Sequence, residues 1–173
     1  MPARVMIRPC LTTENLITGK PMTSSRFLIH RIKPDDTALM AGLMEVFGEA
    51  FEDRETYGAH RPDETYWRSL LGGDSFIALA ALDGDRAVGG LAAYELKKFE
   101  QRRSEIYIYD LAVAETHRRC GIATALIEAL KKIGRERGAY VIFVQADHGD
   151  DPAIALYTRL GVRADVLHFD IEV

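Results

Sequence analysis

The apolar positions of this chain change their spacing several times, and each change marks an element. RFLIHRIKP (26–34) is an apolar run closed by Pro34 and predicts a first strand. In DDTALMAGLMEVFGEAF (35–51), Leu39, Leu43, Val46, Phe47 and Phe51 recur every three or four positions, which lays one stripe along a helix capped by Asp35 or Asp36. RPDETYWRSLLGG (61–73) predicts a second helix closed by glycine. SFIALAALDGDRAVGGLAAYEL (75–96) holds two apolar runs around Asp83-Gly84, a hairpin signal. SEIYIYDLAV (104–113) predicts a long strand, and from Ile122 to Gly138 the pattern is that of an amphipathic helix. The continuous run in AYVIFVQAD (139–147) predicts a buried strand, and DPAIALYTRLG (151–161) a helix with proline at its start and glycine at its end. VRADVLHFDIEV (162–173) alternates apolar and polar residues as a last strand.

The predicted order is β-α-α-β-β-β-α-β-α-β. Strands interleaved with helices only in the second half point to an α/β (α+β) domain with a mixed sheet and helices packed on it. That domain spans residues 26–173. Residues 1–25 are weakly patterned and broken by Pro2, Pro9, Gly19 and Pro21. They read as a flexible extension, with Met22 a candidate natural start.

Composition narrows the function classes. A chain of 173 residues fits one domain and buries enough surface to fold without disulfides or metal. Its apolar fraction of 47% and charged fraction of 28% are those of a soluble globular protein. The net charge of −4 argues against a general nucleic-acid binder and leaves room for a cationic small substrate. Cys10 and Cys120 show no metal or redox spacing, so a reducing cytoplasm is expected. No apolar run approaches the ~18 residues of a transmembrane helix, and no signal-peptide core is evident. Neither a nucleic-acid nor a membrane partner is expected.

One junction carries candidate chemistry. Arg118-Arg119-Cys120-Gly121-Ile122-Ala123 lies after a strand and opens a helix. Two arginines at a helix N-terminus sit where the dipole is already positive. The first N–H groups of a helix lack intrahelical partners, and Gly121 and Ala123 leave room for close approach. An anion there accepts those N–H bonds, and arginines add charge-assisted bonds to phosphate. A pyrophosphate occupant would offset the two cations. Without it, both arginine side chains are expected to be mobile or to hold a solvent anion. Arginines near a helix start are also compatible with simple solvated charge.

The surroundings favour the phosphate reading. IYDLAVAETHRRCGIATAL followed by DDPAIALYTRLGV resembles the GNAT superfamily of acetyl-CoA-dependent N-acetyltransferases. The matching features are Leu111-Ala112-Val113 at a strand end, Arg118 to Ala123 opening a helix, Ala153 with Tyr157 on a later helix, and Leu160-Gly161-Val162. The resemblance implies a mostly antiparallel central sheet flanked by helices and splayed between strands at about 104–113 and 140–145. It implies acetyl-CoA as cofactor. Backbone groups of Leu111, Ala112 and Val113 would meet the pantetheine arm, and Arg118, Arg119, Cys120, Gly121, Ile122, Ala123 and Thr124 the pyrophosphate. Tyr157 would act as general acid for the departing thiolate. The family often has asparagine where this chain has Asp150, whose carboxylate accepts but does not donate; Asp150 faces either cofactor or amine.

FIALAALDGDRAVGGLAAYELKKFEQRRSEIYIYDLAV, the segment around Asp150 and the ending HFDIEV look like aminoglycoside 3-N-acetyltransferases of the GNAT type, the gentamicin-resistance enzymes. That likeness covers roughly residues 27–173. It implies a cationic aminoglycoside as acceptor and direct transfer in a ternary complex.

An ammonium acceptor must lose a proton, so a carboxylate base is needed. Asp110 and Glu105 are the candidates on the central strand, with Asp110 favoured because it adjoins the proposed splay. Strict alternation sets them on opposite faces unless a bulge intervenes. Residues 45–64 hold Glu45, Glu49, Glu52, Asp53, Glu55, Asp63 and Glu64 against Arg54 and Arg61, and ADHGDD (146–151) adds three acids. Acidic walls would attract a polycation. The expected acceptor-side residues are Asp53, Glu55, Tyr57, Tyr109, Asp110, Asp147, Asp150 and Asp151. No metal is expected, since no ligand spacing in 147–151 is diagnostic. A covalent route through Cys120 is the rival mechanism. A polyamine or protein amine is the rival substrate, and a non-catalytic CoA sensor the rival class. The last strand, alternating and terminal, is expected to pair across a homodimer interface.

Overall fold

The computed structural model describes residues 27–173. The N-terminal extension, Met22 and Cys10 lie outside the described residues. The elements run β1 (Leu28–Arg31), α1 (Thr37–Ala50), a π-helical turn (Glu55–Ala59), α2 (Glu64–Gly72), β2 (Phe76–Asp83), β3 (Arg86–Lys97), β4 (Ser104–Val113), a short 3-10 turn (Glu115–His117), α3 (Ile122–Arg137), β5 (Ala139–Val144) and α4 (Asp151–Leu160). The sheet order is β1-β2-β3-β4-β5. Every neighbouring pair is antiparallel except β4 and β5, which are parallel because α3 carries the chain back across the sheet.

Alternation along the strands divides the core in two. Ile77, Leu79, Leu91, Ile106, Ile108, Leu111 and Val113 face α3 and α4, where Ile122, Leu126, Leu130 and Leu156 complete a continuous cluster. Burying each leucine there contributes about 1.5–3 kcal/mol. On the other face Ala78, Ala80, Ala92 and Ala112 meet Leu43, Val46, Phe47 and Trp67 of α1 and α2. That second face is built of small residues, so α1 sits close to the sheet. A Cβ added at Gly90 would lie within 2.5 Å of Leu43 Cδ1, so the approach requires glycine.

Local chemistry accounts for the boundaries. Gly84 opens the β2–β3 loop at φ +59, and Gly138 ends α3 at φ +76. Asp63 caps α2 by accepting from the Tyr66 N–H at 2.8 Å. Asp36 stands at the start of α1 but makes no side-chain cap bond there; its carboxylate accepts from the Lys33 N–H and bonds His30.

Two expectations fail. Residues 162–173 form no strand and are exposed throughout. A strand exists only with a partner, and among the described residues this tail has none despite its alternation. β5 is an edge strand rather than a buried one: Tyr140, Val141 and Phe143 are exposed, while Ile142 and Val144 pack toward α3. Its far edge is unpaired in the described sheet. Among the described residues, no helix is long and apolar enough to cross a membrane.

Candidate active site

The site forms where β4 outruns its neighbour. β5 pairs with β4 only from Ser104 to Ile108. From Asp110 to Val113, β4 keeps its pairing with β3 and has no β5 residue opposite. The expected splay is present, and it opens one side of the Leu111-Ala112-Val113 backbone.

A β-bulge sits at the start of this open segment. Ile108 pairs with Ala93 and Asp110 with Ala92, which leaves Tyr109 as an extra residue. The bulge resets the alternation. Ile106, Ile108, Leu111 and Val113 belong to the α3 side, whereas Tyr109 meets Tyr94 and Asp110 meets Tyr57, both packed on the α1 side. Asp110 and Glu105 therefore share a face, contrary to strict alternation.

Asp110 is 8% exposed. Its Oδ1 accepts a 3.0 Å bond from the Tyr57 hydroxyl. Burial pushes its carboxyl up to about 6, and the Tyr57 bond works in the opposite direction by favouring the anion. Tyr57 stands on the π-helical turn and packs edge-on against Phe47 at 5.8 Å and beside Phe51 at 5.5 Å. Burial, and then the Asp110 charge, hold its phenol above the ordinary range, so it stays a donor. Glu105 lies at the opposite end of β4. It accepts from the Tyr140 hydroxyl at 2.9 Å and pairs with Lys98 at 3.6 Å.

Tyr157 lies on the other side of the sheet, on α4 against the α3-side core. Its hydroxyl is buried with no hydrogen-bond partner among the described residues. Burial, then the Asp150 charge, raise its pKa, so the proton is held at any ordinary pH. A buried hydroxyl without a partner among the described residues is one that a bound group can satisfy. The sulfur of CoA suits that role in chemistry.

The loop before α3 is built for close approach. Gly121 takes φ +84 as the helix N-cap residue, and a Cβ there would meet nothing within 4 Å. Among the described residues, no side chain caps α3. The first-turn N–H groups, from Ile122 and Ala123 onward, are therefore offered to an anion. Arg119 adopts φ +65, a conformation that favours glycine. Arg118 departs from the expected mobile cation. It is 6% exposed, and its Nε donates to the Val113 carbonyl at 3.1 Å, which locks the loop to the end of β4. Cys120 is exposed, with its Sγ 3.5 Å from the Arg118 carbonyl. The Thr124 hydroxyl accepts from Arg159 at 3.0 Å and ties the first turn of α3 to α4. The uncapped helix start, the open β4 edge and the orphan Tyr157 hydroxyl together fit acetyl-CoA.

The acidic residues divide by role. Asp150 caps α4 through the Ala153 N–H at 3.2 Å, and Ala153 is fully buried. Asp147 accepts the Asp150 N–H at its carbonyl, and Asp151 is exposed in the first turn of α4. Asp53 accepts from the Thr56 N–H at 3.0 Å and shapes the π-helical turn, where Glu55 is exposed. Glu45, Glu49 and Glu64 pair with Arg61, Arg54 and Arg68. The acidic wall is thus partly neutralised by its own arginines.

Three rings were not anticipated. Tyr94, Tyr107 and Phe143 join Tyr109 on the Asp110 side, at 6.0 Å from Tyr94 to Tyr109, 5.9 Å from Tyr107 to Tyr109 and 4.9 Å from Tyr107 to Phe143. The Tyr-x-Tyr spacing at 107 and 109 was the available signal.

Comparison with known proteins agrees with this geometry. Residues 40–162 match the model of the acetyltransferase (GNAT) family. A streptothricin acetyltransferase of Streptomyces lavendulae is 37% identical over 87 residues, 50% of this chain and 43% of that protein. The N-alpha-acetyltransferase 30 of Schizosaccharomyces pombe is 33% identical over 87 residues, 49% of this chain and 56% of that one. The matched part of the chain thus spans about half the length of these relatives. Among solved structures, an aminoglycoside acetyltransferase from an uncultured soil metagenomic sample is 66% identical with a TM-score of 0.84, covering 85% of this chain and 98% of that chain. A second soil-metagenome aminoglycoside acetyltransferase, in complex with sisomicin, is 31% identical with a TM-score of 0.78, covering 85% and 96%.

Proposed function

Because the chain belongs to the acetyltransferase (GNAT) family, an acyltransferase family that uses acetyl-CoA as acetyl donor, we propose that it acetylates an amine of an aminoglycoside antibiotic. The finer reading is the 3-amino group of a gentamicin-type drug, with resistance as the consequence and the cytoplasm as the place of action. The observation that carries the chemistry is the pair of groups on the two faces of the sheet at the end of β4 that β5 leaves open. Asp110, a buried carboxylate pushed up to about 6, lies on one face, and the orphan Tyr157 hydroxyl lies on the other. The 66% identity to a protein described as an aminoglycoside acetyltransferase supports the substrate class.

Bound acetyl-CoA supplies the thioester. Asp110 takes a proton from the acceptor ammonium, directly or through water, and leaves a neutral nucleophile. A backbone N–H near Val113 polarises the carbonyl under attack. Tyr157 gives its proton to the departing thiolate. The first turn of α3 and Arg119 hold the pyrophosphate, while Arg118 fixes the loop that presents them.

The test is to incubate the protein with acetyl-CoA and gentamicin, follow thiol release and locate the acetyl group by NMR. Release with the acetyl on the 3-amino nitrogen is expected. No release across a panel of aminoglycosides, with turnover of spermidine or a peptide amine instead, would move the protein to the rival substrate class.

The partner reading is a homodimer. The tail alternates Leu167, Phe169, Ile171 and Val173 with His168, Asp170 and Glu172, all exposed. β5 offers an unpaired edge beside exposed Val141 and Phe143. Two unmet surfaces of matching pattern on one chain suit reciprocal pairing between copies. Sedimentation should give a dimer for the whole chain and a monomer after removal of residues 162–173; a monomeric full chain would overturn this.

A further inference from the structure

Five aromatic rings cross four strands on the face that carries Asp110. Phe76 of β2 meets Tyr94 of β3 at 5.1 Å, and Tyr94 meets Tyr109 of β4 edge-on. Tyr109 meets Tyr107 edge-on, and Tyr107 stacks on Phe143 of β5 with 18° between planes. Phe76 is buried, but the row emerges toward β5: Tyr109 is 42% exposed and Phe143 37%. Single exposed apolar side chains are ordinary, whereas a contiguous row of them marks a binding surface.

We propose that Tyr109, with Tyr107 and Phe143 beside it, is the floor on which a sugar ring of the acceptor stacks. On this view the enzyme reads the cyclic body of its substrate as well as its ammonium groups. The inference rests on the aminoglycoside reading above and names what selects that class over an acyclic polyamine.

The bulge is the first argument. Without the extra residue, Asp110 would follow Ile108 with no ring between them; with it, Tyr109 and Asp110 are sequence neighbours on one face. Bulges are a recognised means of re-aiming a side chain near an active site. The second argument is order. Each ring is fixed by contacts near 5–6 Å, within the range of favourable aromatic pairs, so stacking a ligand demands little further ordering. Tyr107 is pinned further by donating to Gln145 Oε1 at 3.0 Å. The third argument is complementarity of charge. An amino sugar presents a C–H face with ammonium groups at its rim, and here aromatic faces lie beside the Asp110 carboxylate. The ring quadrupoles attract the same ammonium groups. A linear polyamine carries the charge without the face.

The test compares kcat/KM for an aminoglycoside and for spermidine, each with acetyl-CoA saturating, in the full-length protein. Y109A is expected to lower the aminoglycoside-to-spermidine ratio about tenfold, and Y109F to restore it. F143A should move the ratio in the same direction by a smaller factor and serves if Y109A fails to fold. A wild-type enzyme that acetylates aminoglycosides, with a ratio unchanged in both alanine variants, overturns the stacking floor and leaves the substrate reading standing. A wild-type enzyme that turns over spermidine and no aminoglycoside overturns both.

Discussion

The Tyr57 hydroxyl donates to Asp110 Oδ1 at 3.0 Å, joining a helical turn to the bulged central strand across 53 residues of sequence. The bond favours the carboxylate over the acid while burial does the reverse. A carboxylate poised near 6 results, anionic at neutral pH yet basic enough for the role proposed for it.

Removing that donor should move the base upward. In Y57F the anion loses its hydrogen bond, so the acid limb of the kcat/KM profile should shift from about pH 6 to higher pH. A shift of about one unit lowers activity several-fold at pH 6 and little at pH 8. A profile that falls uniformly at every pH would show that Tyr57 acts otherwise.

D110N separates catalysis from stability. Turnover should fall by about 10²–10⁴-fold. The folded-state pKa of Asp110 lies above its unfolded value of 3.8, so the native state binds the extra proton between pH 4 and 6. The wild type should therefore lose stability as pH rises through that window, and D110N should lack that component. Thermal melts of both proteins from pH 4 to 7 measure it.

Y157F should lower kcat more than it raises KM for either substrate. The apoprotein should be no less stable, because the hydroxyl removed is buried and unpartnered. An unchanged kcat would remove the acid role.

The neighbouring arginines should part company. R118A removes a buried guanidinium that holds the Val113 carbonyl, and should destabilise the fold by about 1.5–3 kcal/mol. R119A should chiefly raise KM for acetyl-CoA. Equal effects on melting temperature would contradict the assignment.

C120A should keep its turnover. The thiol is exposed on the loop before α3 and lies against the Arg118 carbonyl. Loss of turnover with acetyl-CoA binding intact would instead favour the covalent route.

Local pattern carried much of this in advance. Ser104–Val113 and the start of α3 at Ile122 follow from apolar spacing within each element. What failed depends on neighbours. An apolar run does not distinguish an edge strand from a central one, so β5 was expected to be buried. The tail has strand alternation but no strand, because pairing is a property of two segments. The bulge at Tyr109 arises from register against Ala92 and Ala93 of β3, which no single segment encodes. Arg118 showed charge but not its burial, and Asp150 showed a carboxylate but not its cap.

The unpaired place of Tyr109 in the β3–β4 ladder separates two kinds of inheritance. Residues in the ladder hold Asp110 at its station, and changing them risks moving that carboxylate. Position 109 carries no such duty, so its side chain can vary while the strand register persists. If the proposed aminoglycoside reading holds, that is where a new acceptor range can arise by single substitutions without first rebuilding the machinery that transfers the acetyl group.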